Sequence, residues 1–291
     1  MKIRLLPALI LLLTNAALAQ PYLSGYRTTI TGGGFGYHAP QPDVHAAMLV
    51  QSNMDHPEIE WETMPLPGTN PGGKIQLLML AAIDVNAEDP QRWEMLIDSV
   101  KYFTIHSPAD TLLTEITWNG PEESSLTFRK KDVDRNGDLT GYLILTLNSK
   151  PEYAGRPLNI RVYGQDNKSP TWFMVYEYAP LNRVEIVTQP GLKRGSTGPE
   201  QVIRIDVIRY SEPATTIFEI AGNTFYKEPG FGFNRYFLQI PASAGETVIP
   251  VKITSDQGTL TDEEVTLKPV REMTIHLLPH SHADIGHTAQ K

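Results

Sequence analysis

The sequence predicts a mainly β protein: two β-sandwich domains, followed by the first strand of a truncated α/β barrel. Three observations carry this prediction. Short apolar segments recur along the chain, several of them alternating with polar residues at the period-two spacing of a half-buried strand. Gly 22 and Pro 23, with Asn and Asp, punctuate the intervals between them. No stretch after the first 19 residues sustains a helical period.

Residues 1–19 read as a signal peptide. Lys2 and Arg4 form a positive start, Leu5 to Leu13 an apolar run, and Ala17-Leu18-Ala19 a small-x-small cleavage site. The run is short for a membrane span, so the mature chain is expected to begin at Gln20, outside the cytoplasm, in a periplasm or extracellular space. The alternative is a retained anchor. Cys 0 excludes disulfides, thiolate metal sites and a cysteine nucleophile. Hydrophobic residues at 41% suffice for a core, and the formal charge of -8, without a basic patch, argues against a nucleic-acid partner.

Residues 20–180 are assigned to the N-terminal β-sandwich. Thr31 to His38 is Gly-rich but lacks the Lys and Ser/Thr of a phosphate loop, so its glycines are read as permitting tight turns. Ala47 to Val50 and Ile59 to Thr63 are short strands. Lys74 to Ile83 is a buried central strand. Trp93 to Ile97 and Val100 to Ile105 flank an Asp98-Ser99 turn and form a hairpin. Tyr142 to Leu147, Leu158 to Tyr163 and Thr171 to Tyr178 complete the set.

A change of domain is expected around Ala179 to Asn182. Residues 181–270 then form an immunoglobulin-like sandwich of about six strands. These are Val184 to Thr188, Val202 to Tyr210, Thr216 to Ile220, Tyr236 to Ile240, Thr247 to Thr254 and Glu264 to Leu267, with Pro190 to Pro199 as a long loop. Residues 271–291 differ. Met273 to Leu278 is an uninterrupted apolar run of the kind buried in a parallel sheet, and it leads into Pro279-His280-Ser281-His282-Ala283-Asp284-Ile285-Gly286-His287.

His282 and Asp284 are two residues apart, which in extended chain puts both side chains on one face, with His280 in phase. Imidazole and carboxylate together suit zinc where no thiolate exists. The alternative is a polar tail. The segment from His276 to Thr288 resembles the opening of the catalytic domain in glycoside hydrolase family 38, the α-mannosidases, in which a strand runs into Pro-His-Ser-His-x-Asp-x-Gly. A His-x-His start of the amidohydrolase type would fit His280 and His282 but leaves Pro279, Asp284 and Gly286 unexplained. Four N-terminal stretches resemble, more weakly, the leader domains of secreted bacterial members: Gly34 to Pro40, Glu60 to Thr63, Gly137 to Tyr142 and Thr171 to Met174.

The resemblance implies a retaining, zinc-dependent glycoside hydrolase acting on α-mannosides or related glycans, with His282 and Asp284 as metal ligands. It implies a nucleophilic Asp, itself a zinc ligand, and a further His, both downstream of this motif. The 291-residue polypeptide is therefore expected to be inactive. His287 stands where the family often carries an aromatic residue, which leaves substrate preference open. The competing expectation is a non-catalytic carbohydrate-binding or adhesion protein.

Two further patterns bear on binding. Asp132, Asp134, Asn136 and Asp138, with Gly137 sixth, are spaced as in a calcium loop, but the twelfth position is Leu143; Asn136-Gly137 is equally a hairpin turn. Trp61, Trp93, Trp118, Trp172, Phe231 and Phe233 are candidate sugar platforms, with Phe231-Gly232-Phe233 foremost; strand aromatics are otherwise core. Glu122-Glu123 and Asp262-Glu263-Glu264 read as solvated charge runs.

Overall fold

Apolar residues at every second position fold the chain into strands, and the computed structural model describes residues 22–53, 55–68, 73–88, 90–165, 168–196 and 198–270. The signal segment, the Met273 to Leu278 run and the histidine cluster lie outside the described residues. The first half comprises β1 (Leu23–Ser24), β2 (Thr28–Thr31), β3 (Ala47–Asn53), β4 (Glu58–Glu62), β5 (Lys74–Ile83) and β6 (Arg92–Ile97). It continues with β7 (Val100–His106), β8 (Glu115–Asn119), β9 (Ser125–Val133), β10 (Leu139–Asn148), β11 (Asn159–Gly164) and β12 (Lys168–Tyr176). One 3-10 turn, Pro151–Tyr153, is the helical structure among the described residues.

These strands form two facing sheets. The larger runs β3-β12-β5-β10-β9-β8, with β1 added parallel to β5; the smaller runs β2-β4-β11-β6-β7. Between them lies a core that includes Met79, Leu143, Phe128 and Phe173 from the larger sheet and Trp61, Trp93, Met95 and Ile160 from the smaller. The hairpin read at Asp98-Ser99 is present, with φ of 49° and 68° at the two turn residues, as a type I′ turn requires.

The larger sheet is buried on both faces. Leu77, Met79, Ala81 and Ile83 of β5 point into the inter-sheet core. Leu78, Leu80 and Ala82 point the other way, into a second cluster with Tyr142, Ile144 and Tyr176. Double-sided burial is why β5 carries an unbroken apolar run instead of an alternation. Residues 35–46 cover part of this outer face: Phe35 and Tyr37 pack on it, and the Tyr176 hydroxyl donates to the His38 carbonyl.

The second half supplies the rest of the cover. It contains β13 (Arg183–Arg194), β14 (Pro199–Arg209), β15 (Thr216–Ile220), β16 (Asn223–Lys227), β17 (Gly232–Pro241), β18 (Thr247–Ser255) and β19 (Gly258–Leu267). A β13-β14-β17 sheet faces a β16-β15-β18-β19 sheet across a core of Ile203, Ile205, Val207, Leu238, Phe218, Val251 and Ile253. The long loop expected at Pro190 to Pro199 is a correction: β13 continues to Arg194, and Leu192 pairs with Gln201 after a register shift. Pro190 is tolerated because β13 is an edge strand and the proline sits in the irregularity, where no ladder donor is needed.

Ile208, Tyr210 and Phe231 close over the outer face of the larger sheet. The Tyr142, Tyr210 and Phe231 rings meet edge to face, with centroids 5.2–5.8 Å apart. Arg129 lies 4.7 Å over the Phe231 ring and pairs with Glu212 at 3.2 Å. The Phe233 N–H donates to the Tyr142 hydroxyl at 3.0 Å, and the Tyr210 hydroxyl donates to Gln41 at 2.9 Å. Gly232 permits this approach: its φ is 80°, and a Cβ there would lie 1.8 Å from the Tyr142 hydroxyl oxygen. Tyr142, wedged between two rings, has nowhere to retreat. Gly232→Ala is therefore expected to lower the unfolding free energy by about 2–4 kcal/mol in urea titration, and a loss below about 1 kcal/mol would show that the seam yields.

Candidate functional site

The described part of the molecule concentrates polar chemistry where residues 36–42 meet the β9–β10 hairpin. Asp134 begins the turn. Its Oδ1 accepts from the Asn136 N–H at 2.8 Å and the Asp138 N–H at 3.0 Å, while Gly137 takes a φ of 93°. Its Oδ2 accepts from the Tyr37 hydroxyl at 2.5 Å, and the same hydroxyl lies 3.1 Å from Asp138 Oδ2. Burial would raise the Asp134 carboxyl, but the Tyr37 hydroxyl and the backbone N–H groups of the turn outweigh it and hold it below the ordinary carboxylate range.

These bonds show how the turn uses the oxygens of the calcium-like spacing. Both Asp134 oxygens are committed to the turn and to Tyr37. One Asp132 oxygen accepts from the Val133 N–H, and the other lies 3.7 Å from His38 Nε2. The spacing builds a hairpin turn, and among the described residues no group of three His, Asp or Glu side chains is placed to hold a metal ion.

Asp84 follows directly on β5 and meets Asp138. Burial, the Asp138 charge and a hydrogen bond between the two carboxyls push Asp84 up to about 6, and a backbone hydrogen bond from Trp172 offsets only part of this. Two carboxyls with no facing cation share a proton more readily than they both ionise. Asp138 Oδ1 also accepts from the Val85 N–H at 3.3 Å, which ties the pair to the end of β5.

Beside these carboxyls lies an open groove. One portion, about 610 Å³, is walled by Tyr37, His38, Asp132 and Asn136. A second, about 510 Å³, shares Tyr37, His38 and Asp132 with it and extends to Pro40, Lys131 and Phe233. The Tyr37 ring stands edge-on to Trp172 with centroids 4.8 Å apart. Gly34, with a φ of 90°, donates to Glu177 at 2.6 Å and anchors the Gly-rich approach to this segment.

His282 and Asp284, with His280, lie outside the described residues. Of the aromatic candidates, Trp61, Trp93 and Trp118 are core. Phe231 is buried in the seam between the two sheet pairs and presents no platform; Phe233 and Trp172 remain half-exposed. Glu122 and Glu123 form an exposed turn, and Asp262 to Glu264 an exposed part of β19. The sequence reading missed Tyr37, His38 and Asp84 as neighbours of the hairpin. A tyrosine and a histidine closing a Gly-rich loop, and a carboxylate capping a buried strand, were the available signals. Their meeting depends on pairing across the sheet.

No protein-family model matches the chain, and no curated protein sequence does. Solved structures to which parts of the chain are similar include glycosidases. A GH2 β-galacturonidase from Eisenbergiella tayi, bound to galacturonate, matches at 8% identity and TM-score 0.22, over 73% of this chain and 35% of that one. A candidate β-galactosidase from Bacteroides fragilis matches at 12% and 0.24, over 75% and 34%. A β-D-mannosidase from Dictyoglomus thermophilum matches at 11% and 0.19, over 72% and 29%. The chain thus spans about a third of the length of these proteins, and TM-scores of this size carry no argument about activity.

The carboxyl pair gives a pH signature. Asp84 is raised on folding from 3.8 to about 6, so the stability from proton sharing is full below 3.8 and is lost as pH rises through about 6. Asp84→Asn keeps a donor toward Asp138 and removes the repulsion. Its thermal midpoint relative to the wild type is expected to rise between pH 4 and pH 8; a difference constant with pH would show that the two carboxyls do not interact.

Proposed function

We propose that this chain is the N-terminal part of an exported, zinc-dependent retaining glycoside hydrolase acting on α-mannosides or related glycans. The observation that carries the reading is the run Pro279-His280-Ser281-His282-Ala283-Asp284-Ile285-Gly286, placed directly after the apolar segment Met273 to Leu278. The β-sandwich architecture upstream is consistent with leader domains preceding such a catalytic unit. The positive start, apolar run and Ala17-Leu18-Ala19 site support export to the periplasm or beyond, and Cys 0 means that no disulfide is needed there.

In this reading His282 and Asp284 supply a nitrogen and an oxygen to zinc, a donor pair that suits the metal. Held by these residues, the metal would supply Lewis-acid chemistry toward sugar hydroxyls. Pro279 would fix the chain entering the site, and Gly286 would allow it to turn away. Hydrolysis with retention needs a carboxylate nucleophile and a carboxylic acid to protonate the leaving oxygen. The resemblance places that nucleophile downstream of these 291 residues.

Two measurements test the proposal. The 291-residue polypeptide is expected to show no turnover of an aryl α-mannoside, and measurable turnover would mean that the active site has been misplaced. The native product is expected to be long enough to hold the rest of a catalytic domain. In that product His282→Ala or Asp284→Ala should lose zinc by elemental analysis and about 100-fold or more in rate. Full zinc content in both variants would sink the assignment.

A further inference from the structure

We propose that the groove between residues 36–42 and the β9–β10 hairpin binds a neutral oligosaccharide, with His38 and Asp132 as its polar contacts and Tyr37 and Phe233 as its ring surfaces. The inference rests on the groove alone and does not depend on the zinc reading.

Shape comes first. Two neighbouring portions of about 610 and 510 Å³, both lined by Tyr37, His38 and Asp132, fall in the range of small-ligand sites, and together they offer room for a ligand of more than one ring. The wall chemistry narrows the class. His38 Nε2 and Asp132 Oδ2 are 3.7 Å apart, too far for a closed hydrogen bond, and their side chains are 52% and 63% exposed. A donor and an acceptor therefore stand side by side with capacity left, an arrangement matched by adjacent hydroxyls. Tyr37 is held still by Asp134 and by the Trp172 edge, and Phe233 is held by its N–H bond to Tyr142 and by the Arg235 guanidinium 5.2 Å from its ring. Rigid rings lose little freedom on binding, and their faces suit the C–H faces of a pyranose.

Charge and topology exclude the main rivals. Lys131 and Arg135 along the groove are balanced by Asp132 and Asp134, so no single-sign field selects a phosphate or a polycation. An extended peptide adding to β9 would have only the last residues of that strand to pair with, because β10 holds one side throughout and β8 covers the other from Ser125 to Arg129. An amphipathic helix would need an apolar floor, and this one is interrupted by His38 and Asp132.

The test uses the 291-residue polypeptide and an array of neutral mannan, xylan, galactan and cellulose oligosaccharides, followed by calorimetry on those that bind. At least one is expected to bind saturably, with the oligosaccharide tighter than its monosaccharide. His38→Ala and Asp132→Ala should each weaken that binding by about tenfold, since each removes one hydrogen-bonding partner. Both side chains are exposed, so the thermal midpoint should hold, and Asp262→Ala, on β19, should bind as the wild type does. The proposal falls if no neutral oligosaccharide binds, if the two groove variants bind undiminished, or if uronate or sulfated chains are preferred.

Discussion

Covering the outer face of the seven-stranded sheet is the constraint on which the rest of the structure depends. Leu78 and Leu80 of β5, with Tyr142 and Ile144 of β10, form an apolar surface that cannot be left to water. Residues 35–46 take one part of it, and the Tyr210 and Phe231 end of the second sheet pair takes the other. The covering segment is pinned at several points: by the Tyr176 hydroxyl on the His38 carbonyl, by Tyr210 on Gln41, and by Arg183 on Asp43 at 2.7 Å. Once that segment is fixed, Tyr37 and His38 stand beside the β9–β10 hairpin. The groove is thus a by-product of hydrophobic cover, and its walls are as firm as the core beneath them.

Much of this was legible in the chain, and the exceptions have physical causes. The unbroken run of β5 announced double-sided burial, and the alternation of β6 announced a hairpin whose turn is present at Asp98-Ser99. β9 was not recognised because its second half, Arg129 to Asp132, is charged; it is held in the sheet by its pairing with β10, not by its own apolar content. Pro190 suggested a loop because proline removes a donor, but an edge strand needs donors on one side only. For the candidate site the sequence offered residue types without partners. Asp134 and Asn136 were visible as a turn or a metal loop, but Tyr37, which bonds Asp134 from 97 residues away, was not visible as their neighbour.

Two acidic neighbourhoods show how differently the fold treats carboxylates. Glu94 on β6 is nearly buried, yet it accepts from Lys101, Tyr163 and Gln165 and is held below the ordinary range. Its charge is matched, as a buried carboxylate requires. Asp84 and Asp138 have each other in place of a cation. One neighbourhood is a satisfied structural post; the other is sensitive to its surroundings and adjoins the groove through Tyr37.

The pairing order of the first sheet also sets a timetable for folding. β3 is complete by residue 53, but its ladder partner is β12, and Met48 meets Val175 only after more than a hundred further residues have been made. β4 has β2 upstream on one side, but it waits similarly for β11 on the other. In the second half, β13 pairs with β14 and β15 with β16 almost as soon as they emerge. Contacts this distant in sequence close slowly. A chain emerging from its N-terminus therefore carries β3 without β12, and the apolar β5 with only the two-residue β1 beside it, for a long interval. This is the stage at which a chaperone would matter most to it.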